Sequence, residues 1–306
     1  MIPGDEPDAA FGLDAATVAR AFDRAAARYE AAAQLQARVR EQLLERLDEL
    51  KPPGDARAVL DLGAGTGAAT AALRGRFRKA RVVALDLAPG MLREAGRHQR
   101  LFRRFDRVLA DAAALPFADA SLDVAFSNLM LQWFDDPARV FTDLSRALRP
   151  GGLLVFSTFG PDTLRELRDA WAAADPDGVH VNRFIDVHDL GGALQRSGFA
   201  EPVLDVDRVR AHHADVAELL RGLKAIGAHN VNAGRARALT GRRRYAAMTA
   251  AYETLRTPKG LPATWEIVYG VAWAAHAPRD EDFAMRGGET RIDVATLASR
   301  LRRRRT

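Results

Sequence analysis

Three aspartates close three successive apolar runs in the first half of the chain: Asp61, Asp86 and Asp111. The first sits in V-L-D-L-G-A-G-T-G (Val59–Gly67), where a strand runs straight into a glycine-rich turn and then a helix. Gly63, Gly65 and Gly67 allow a backbone path and a closeness of approach that a Cβ would forbid. The helix that follows, over Ala68–Arg74, offers free N–H groups at its start to an anionic group. Asp86 ends R-V-V-A-L-D-L, about 20 residues past the glycines, where a carboxylate accepts both hydroxyls of an adenosine ribose. Asp111, before A-A-A-L-P-F, is placed to accept from an adenine amino group, and Asn128 closes a fourth apolar run.

The glycine loop alone leaves two cofactors open, because Gly63-x-Gly65-x-x-Ala68 also satisfies a dinucleotide pattern. Asp61 separates them. A negative charge immediately before the glycines repels a pyrophosphate and favours a ligand carrying an ammonium and a sulfonium. Three acids at consecutive strand ends therefore point to S-adenosylmethionine.

The elements that must position these groups follow the pattern of a doubly wound α/β domain. Continuous apolar strands are expected over Ala58–Leu62, Arg81–Leu87, Arg107–Ala110, Leu122–Ser127 and Leu153–Phe159, alternating with helices over Ala68–Arg74, Pro89–Leu101 and Asp136–Leu148. Such strands belong in a parallel sheet buried on both faces. Ahead of them, Phe11–Leu50 reads as helical, with Leu35, Val39, Leu43, Leu47 and Leu50 on one apolar stripe. Past Gly160, helices are expected over Thr163–Ala174, Val187–Ser197, Asp215–Ile226 and Arg242–Arg256, with strands over Pro202–Val209 and Thr264–Trp273. The parts are thus an N-terminal helical cap (1–54), a cofactor-binding core (55–160), a substrate-side half (161–276) and a basic tail (277–306). The tail reads as mostly disordered, with a short helix near Val294–Leu301.

Composition narrows the class. Of 306 residues, 48% are hydrophobic and 28% charged, enough for a buried core in a water-soluble chain. No run reaches the ~18 apolar residues that a membrane span needs. The opening M-I-P-G-D-E-P-D-A-A-F-G lacks the basic-then-apolar order of a signal peptide, so a cytoplasmic location is expected. The absence of cysteine excludes disulfides and thiolate chemistry. The net charge of +5 suits an acidic partner, and arises equally from arginine-rich solvated helices.

Taken in order, D-L-G-A-G-T-G (Asp61–Gly67), L-D-L-A-P-G-M-L (Leu85–Leu92), A-D-A-A-A-L-P-F (Ala110–Phe117), F-S-N-L-M-L-Q-W (Phe126–Trp133) and L-R-P-G-G (Leu148–Gly152) resemble the class I S-adenosylmethionine-dependent methyltransferases. The resemblance implies a mostly parallel seven-stranded, Rossmann-like sheet. It also implies a cofactor site lined by Gly63, Gly65, Asp86, Asp111 and the Asn128–Leu129 backbone; Asp61, Ala64, Gly67, Leu87, Met91 and Ala112 are assigned with them. A narrower resemblance, carried by F-D-R-A-A-A-R-Y-E-A-A-A-Q-L-Q (Phe22–Gln36), H-V-N-R-F (His180–Phe184) and L-K-A-I-G-A-H-N-V-N-A-G-R (Leu223–Arg235), is to the malonyl-(acyl-carrier protein) O-methyltransferases of biotin synthesis. Some members of that family carry a cysteine where this chain has Ala64.

That family esterifies the free carboxyl of a malonyl thioester, which needs no general base because the carboxylate is already ionised. A two-pronged arginine would suit the carboxylate, and Arg146 and Arg183 are the candidates. Tyr29 is expected to cover the methyl-transfer point, and Gln36 to contact the cofactor from behind. An acidic acyl carrier protein would dock on Lys224, Arg235, Arg237 and Arg242–Arg244, with the enzyme a monomer. Nucleic acid is a weaker substrate class, since Asn128 is followed by Leu129-Met130-Leu131 rather than an aromatic platform. G-P-D-T-L-R-E-L-R (Gly160–Arg168) and H-D-L-G-G-A-L-Q-R-S-G-F (His188–Phe199) also resemble a methyltransferase-like complex I assembly factor implicated in arginine hydroxylation. No metal site is expected: His180 and His188 stand alone in the sequence.

Overall fold

In the computed structural model, seven strands form one sheet in the order β3-β2-β1-β4-β5-β7-β6. The structure describes residues 12–275 apart from 51, 53–54, 100–103, 229, 231 and 233–240, together with two short strands at 284–286 and 289–291. β1 (Ala58–Leu62), β2 (Arg81–Asp86), β3 (Asp106–Leu109), β4 (Leu122–Asn128) and β5 (Leu148–Phe159) run parallel, while β7 (Leu261–Ala274) is antiparallel between β5 and β6 (Phe199–His213). The expected doubly wound sheet is present.

Alternation along each strand builds two cores. Val59, Val82, Val124 and Val155 face one layer, with Leu43 and Leu47 of α3 (Gln34–Glu49), Leu73 of α4 (Ala68–Arg76), Trp171 of α7 (Arg165–Ala174) and Tyr252 of α10 (Arg242–Glu253). Leu60, Leu62, Val83, Leu85 and Ala125 face the other, against Val140, Phe141 and Leu144 of α6 (Pro137–Ala147) and Leu190 and Leu194 of α8 (Val187–Arg196). Neighbouring residues of one strand thus bury on opposite faces, which is why β1 and β4 carry continuous apolar runs.

The N-terminal segment departs from the expected single helix. It divides into α1 (Ala15–Ala25), a 3₁₀ turn (Ala26–Arg28), α2 (Tyr29–Ala32) and α3, with non-helical backbone at Ala33. No glycine or proline marks the break. The bend lets α1 and α2 cross the carboxyl ends of the strands while α3 packs on the sheet, and contacts across the cleft hold it. α5 (Pro89–Ala95) ends earlier than expected, and β6 extends further at both ends, because its exposed alternation hides a long edge strand. α9 (Val216–Ala225) completes the substrate-side half.

Residues 1–274 form one compact unit, and 275–306 a second. Where the sequence reads as a disordered tail, β8 (Ala284–Arg286) and β9 (Glu289–Arg291) pair antiparallel. The expected helix near Val294–Leu301 lies outside the described residues.

Candidate active site

The glycine turn after β1 opens the site. Gly63 has φ +70°, and a Cβ there would stand 2.3 Å from Met130 Cγ, so only glycine fits. Gly65, also with positive φ, has nothing within 4 Å of where its Cβ would be and faces the cleft. Gly67 works differently from the expectation: it packs against Ala95 and starts α4, without lining the cavities described below.

Asp61 is 1% exposed, and its carboxylate accepts from the Thr70 hydroxyl. Burial, reinforced by Asp86, pushes it up to about 7, with the Thr70 hydrogen bond and Arg40 acting against the shift. A buried carboxylate held by Thr70, with no described basic side chain bonded to it, suits a cation. Asp86 accepts the Gly65 and Ala88 N–H groups, each at 2.8 Å. Burial raises its pKa, and those amides oppose the rise. Asp111 accepts from Ala113 N–H at 2.9 Å, fixing the loop after β3. At the end of β4, Leu129 adopts φ +50°, a costly conformation for a bulky residue. Its N–H is anchored to Ser157, which also donates to Asn128 Oδ1.

Three cavities lie side by side here. The first is walled by Asp86, Leu87, Met91, Asp111 and Ala112, with Gly63, Gly65, Asn128 and Leu129 on its floor. The second lies among Asp61, Ala64, Gly65, Thr66, Gln36 and Arg40. The third is a largely apolar chamber of Phe159, Leu164, Leu167, Leu223, Ile226 and Trp265, with Gln132, His180, Asn182 and Asn230 among its walls. Tyr29 lines all three. Burial, Glu30 and Asp86 all push its phenol upward, so it stays protonated and can donate.

The N-terminal segment roofs the cleft through polar latches. Asp23 accepts from Gly90 N–H, Glu30 accepts from the Thr66 hydroxyl, and Asp135 accepts from Leu13 N–H. Phe22 packs edge-on against Trp133 at 5.1 Å. Gln36 is buried, and its carbonyl accepts from Asn128 Nδ2.

The arginine candidates fare differently from the cofactor residues. Arg146 does not approach the cleft. It binds Asp143, Asp119 and the carbonyls of Leu115 and Phe117, at the opposite end of β4, and staples that loop to α6. Arg183 is exposed, while its neighbours Asn182 and Phe184 line the apolar chamber. Sequence reading missed Arg40, and it missed His180, which is not alone: its Nε2 lies 2.8 Å from Asp175 Oδ2.

Glycine turn, acidic strand ends and fold define a methyltransferase. A methyltransferase-domain family model matches residues 60–156. Among solved structures, a methyltransferase from Bacillus halodurans superposes with TM-score 0.55 at 16% identity, over 77% of this chain and 100% of that one. The methyltransferase of a Haloferax volcanii complex with the Trm112 activator gives 0.51 at 22% identity, over 86% of this chain and 99% of that one. A malonyl-(acyl-carrier protein) O-methyltransferase from Methylovorus sp. is 49% identical over 88% of this chain and 92% of its own. One from Halorhodospira halophila is 45% identical over 99% of this chain and 100% of its own. The chain belongs to the malonyl-(acyl-carrier protein) O-methyltransferase family.

Proposed function

We propose that this protein methylates the free carboxylate of malonyl-acyl carrier protein with S-adenosylmethionine, producing the methyl ester that enters biotin synthesis. The observation that carries this reading is the meeting of three cavities at Tyr29. Asp86 and Asp111 suit ribose and adenine, Asp61 suits the ammonium, and Arg40 across the same cavity suits the carboxylate of the methionine part. The apolar chamber beyond Tyr29 then holds the acyl group against the reacting centre.

When bound, the cofactor supplies a methyl group on a cationic sulfur. The chain's task is to place a carboxylate oxygen in line with that methyl and to keep water out. Alignment of this kind is worth about 7–11 kcal/mol of the barrier. Anion and cation neutralise one another in the reaction, so the apolar walls of Phe159, Leu164, Leu167 and Trp265 favour the transition state over the separated charges. Tyr29 stays protonated and positions; it is not a base. Exposed Lys224 and Arg242–Arg244 form the described part of a basic face for the acidic carrier protein, while Arg235 and Arg237 lie outside the described residues. No described helix is long and apolar enough to cross a membrane.

Incubation with S-adenosylmethionine and a malonyl-loaded carrier protein should add the mass of one methylene to the carrier. An acetyl-loaded carrier should gain nothing. Equal gain on both, or none on either, would refute the reading.

A further inference from the structure

We propose that His180, clamped by Asp175, is the group that receives the substrate's free carboxylate and tells substrate from methylated product. This rests on the carboxyl-methylation reading above and assigns the recognition within it. Of the described side chains lining the apolar chamber, His180 alone can carry a positive charge. A cationic donor among apolar walls is where an anionic acyl group is drawn.

The ring is held on several sides. Nε2 contacts Asp175 Oδ2 at 2.8 Å, and the imidazole stacks on Trp171 at 3.8 Å with 10° between the planes. Both members of the pair are 13% exposed. Gly178 makes the clamp possible, since a Cβ there would lie 2.5 Å from both Asp175 Oδ2 and His180 Nε2. Asn230 Nδ2 donates to the Val179 carbonyl, and Asn232 Nδ2 donates to Asn182 Oδ1, fixing the chain on either side of His180. A group locked in this way has the rigidity that recognition requires.

With Nε2 engaged by Asp175, Nδ1 is the nitrogen left for a ligand. Receiving a carboxylate takes the doubly protonated ring, in which Nε2–H donates to Asp175 and Nδ1–H to one substrate oxygen, while the other oxygen meets the methyl. Arg244 lies 3.5 Å from the same Asp175 oxygen, so the carboxylate that holds the ring is itself held. Methylation removes the substrate's charge, and with it the attraction that held the acyl group, so the same contact favours product departure.

The test compares the affinities of malonyl thioester and its methyl ester for the protein loaded with S-adenosylhomocysteine. Wild type should prefer the acid by about 10- to 100-fold, the range of a hydrogen bond between charged groups. His180→Gln should abolish most of it while leaving S-adenosylhomocysteine affinity unchanged. Asp175→Asn, which keeps the shape and loosens the clamp, should reduce it in part. A preference that survives His180→Gln overturns the assignment while leaving carboxyl methylation standing. Wild type that neither binds nor methylates the malonyl thioester overturns both.

Discussion

Replacing Asp61 by asparagine should stabilise the cofactor-free protein at neutral pH while crippling cofactor binding. Asp61 is shifted from 3.8 to about 7 by its burial. Between those values the folded protein holds a proton that the unfolded chain has lost, so stability falls as pH rises through this window. At about 1.4 kcal/mol per pH unit, the ionised carboxylate costs the empty fold about 4 kcal/mol by pH 8. Asparagine keeps the size and a partner for Thr70 and removes the ionisation. Urea unfolding without cofactor should therefore show the variant gaining on wild type from pH 4 to 7, then holding a constant advantage. Saturating S-adenosylmethionine should reverse the order, because only the wild type offers a charge to the ammonium. A stability gap independent of pH would refute the argument that this carboxylate is buried at a cost which the ligand relieves.

Gly63→Ala should destabilise the fold by about 1–3 kcal/mol, since positive φ and the clash with Met130 act together; urea melts and cofactor titration should both report it. Arg146→Ala should leave kcat/KM within about twofold, because its partners lie away from the cleft; a loss of a hundredfold in steady-state assays would return it to the substrate site. Reversing the charge of Lys224 and Arg242 together should raise KM for the carrier-bound substrate, most strongly at low salt, while leaving a malonyl thioester of a small thiol unaffected.

The cofactor half of the site was legible in the sequence because its chemistry is local. Asp61, the glycines, Asp86 and Asp111 each sit where a strand ends, and strand ends announce themselves by apolar runs meeting turn residues. The substrate half was legible only as resemblance. Tyr29 reaches the cleft through a helix break that Ala25-Ala26-Ala27 does not signal; the break is fixed by Glu30 meeting Thr66 from the far side of the cleft. His180 read as isolated because its partner is five residues earlier, across a turn. Asp175-Pro176-Asp177-Gly178-Val179-His180 did carry the signal: a proline and a glycine folding an acid back onto an imidazole. Arg146 misled because an arginine on a helix beside the fourth strand says nothing about which end of that strand it faces. The long edge strand β6 was shortened for a similar reason, since exposed alternation resembles loop composition.

The central claim is that the methyl group goes to a carboxylate oxygen. Methyl-labelled S-adenosylmethionine and malonyl-loaded carrier protein, followed by fragmentation of the carrier's prosthetic arm in the mass spectrometer, locate it directly. The label should sit on the terminal carboxyl as an ester and be released by mild base to regenerate the malonyl group. A label on carbon, on the carrier polypeptide, or resistant to base would contradict the account.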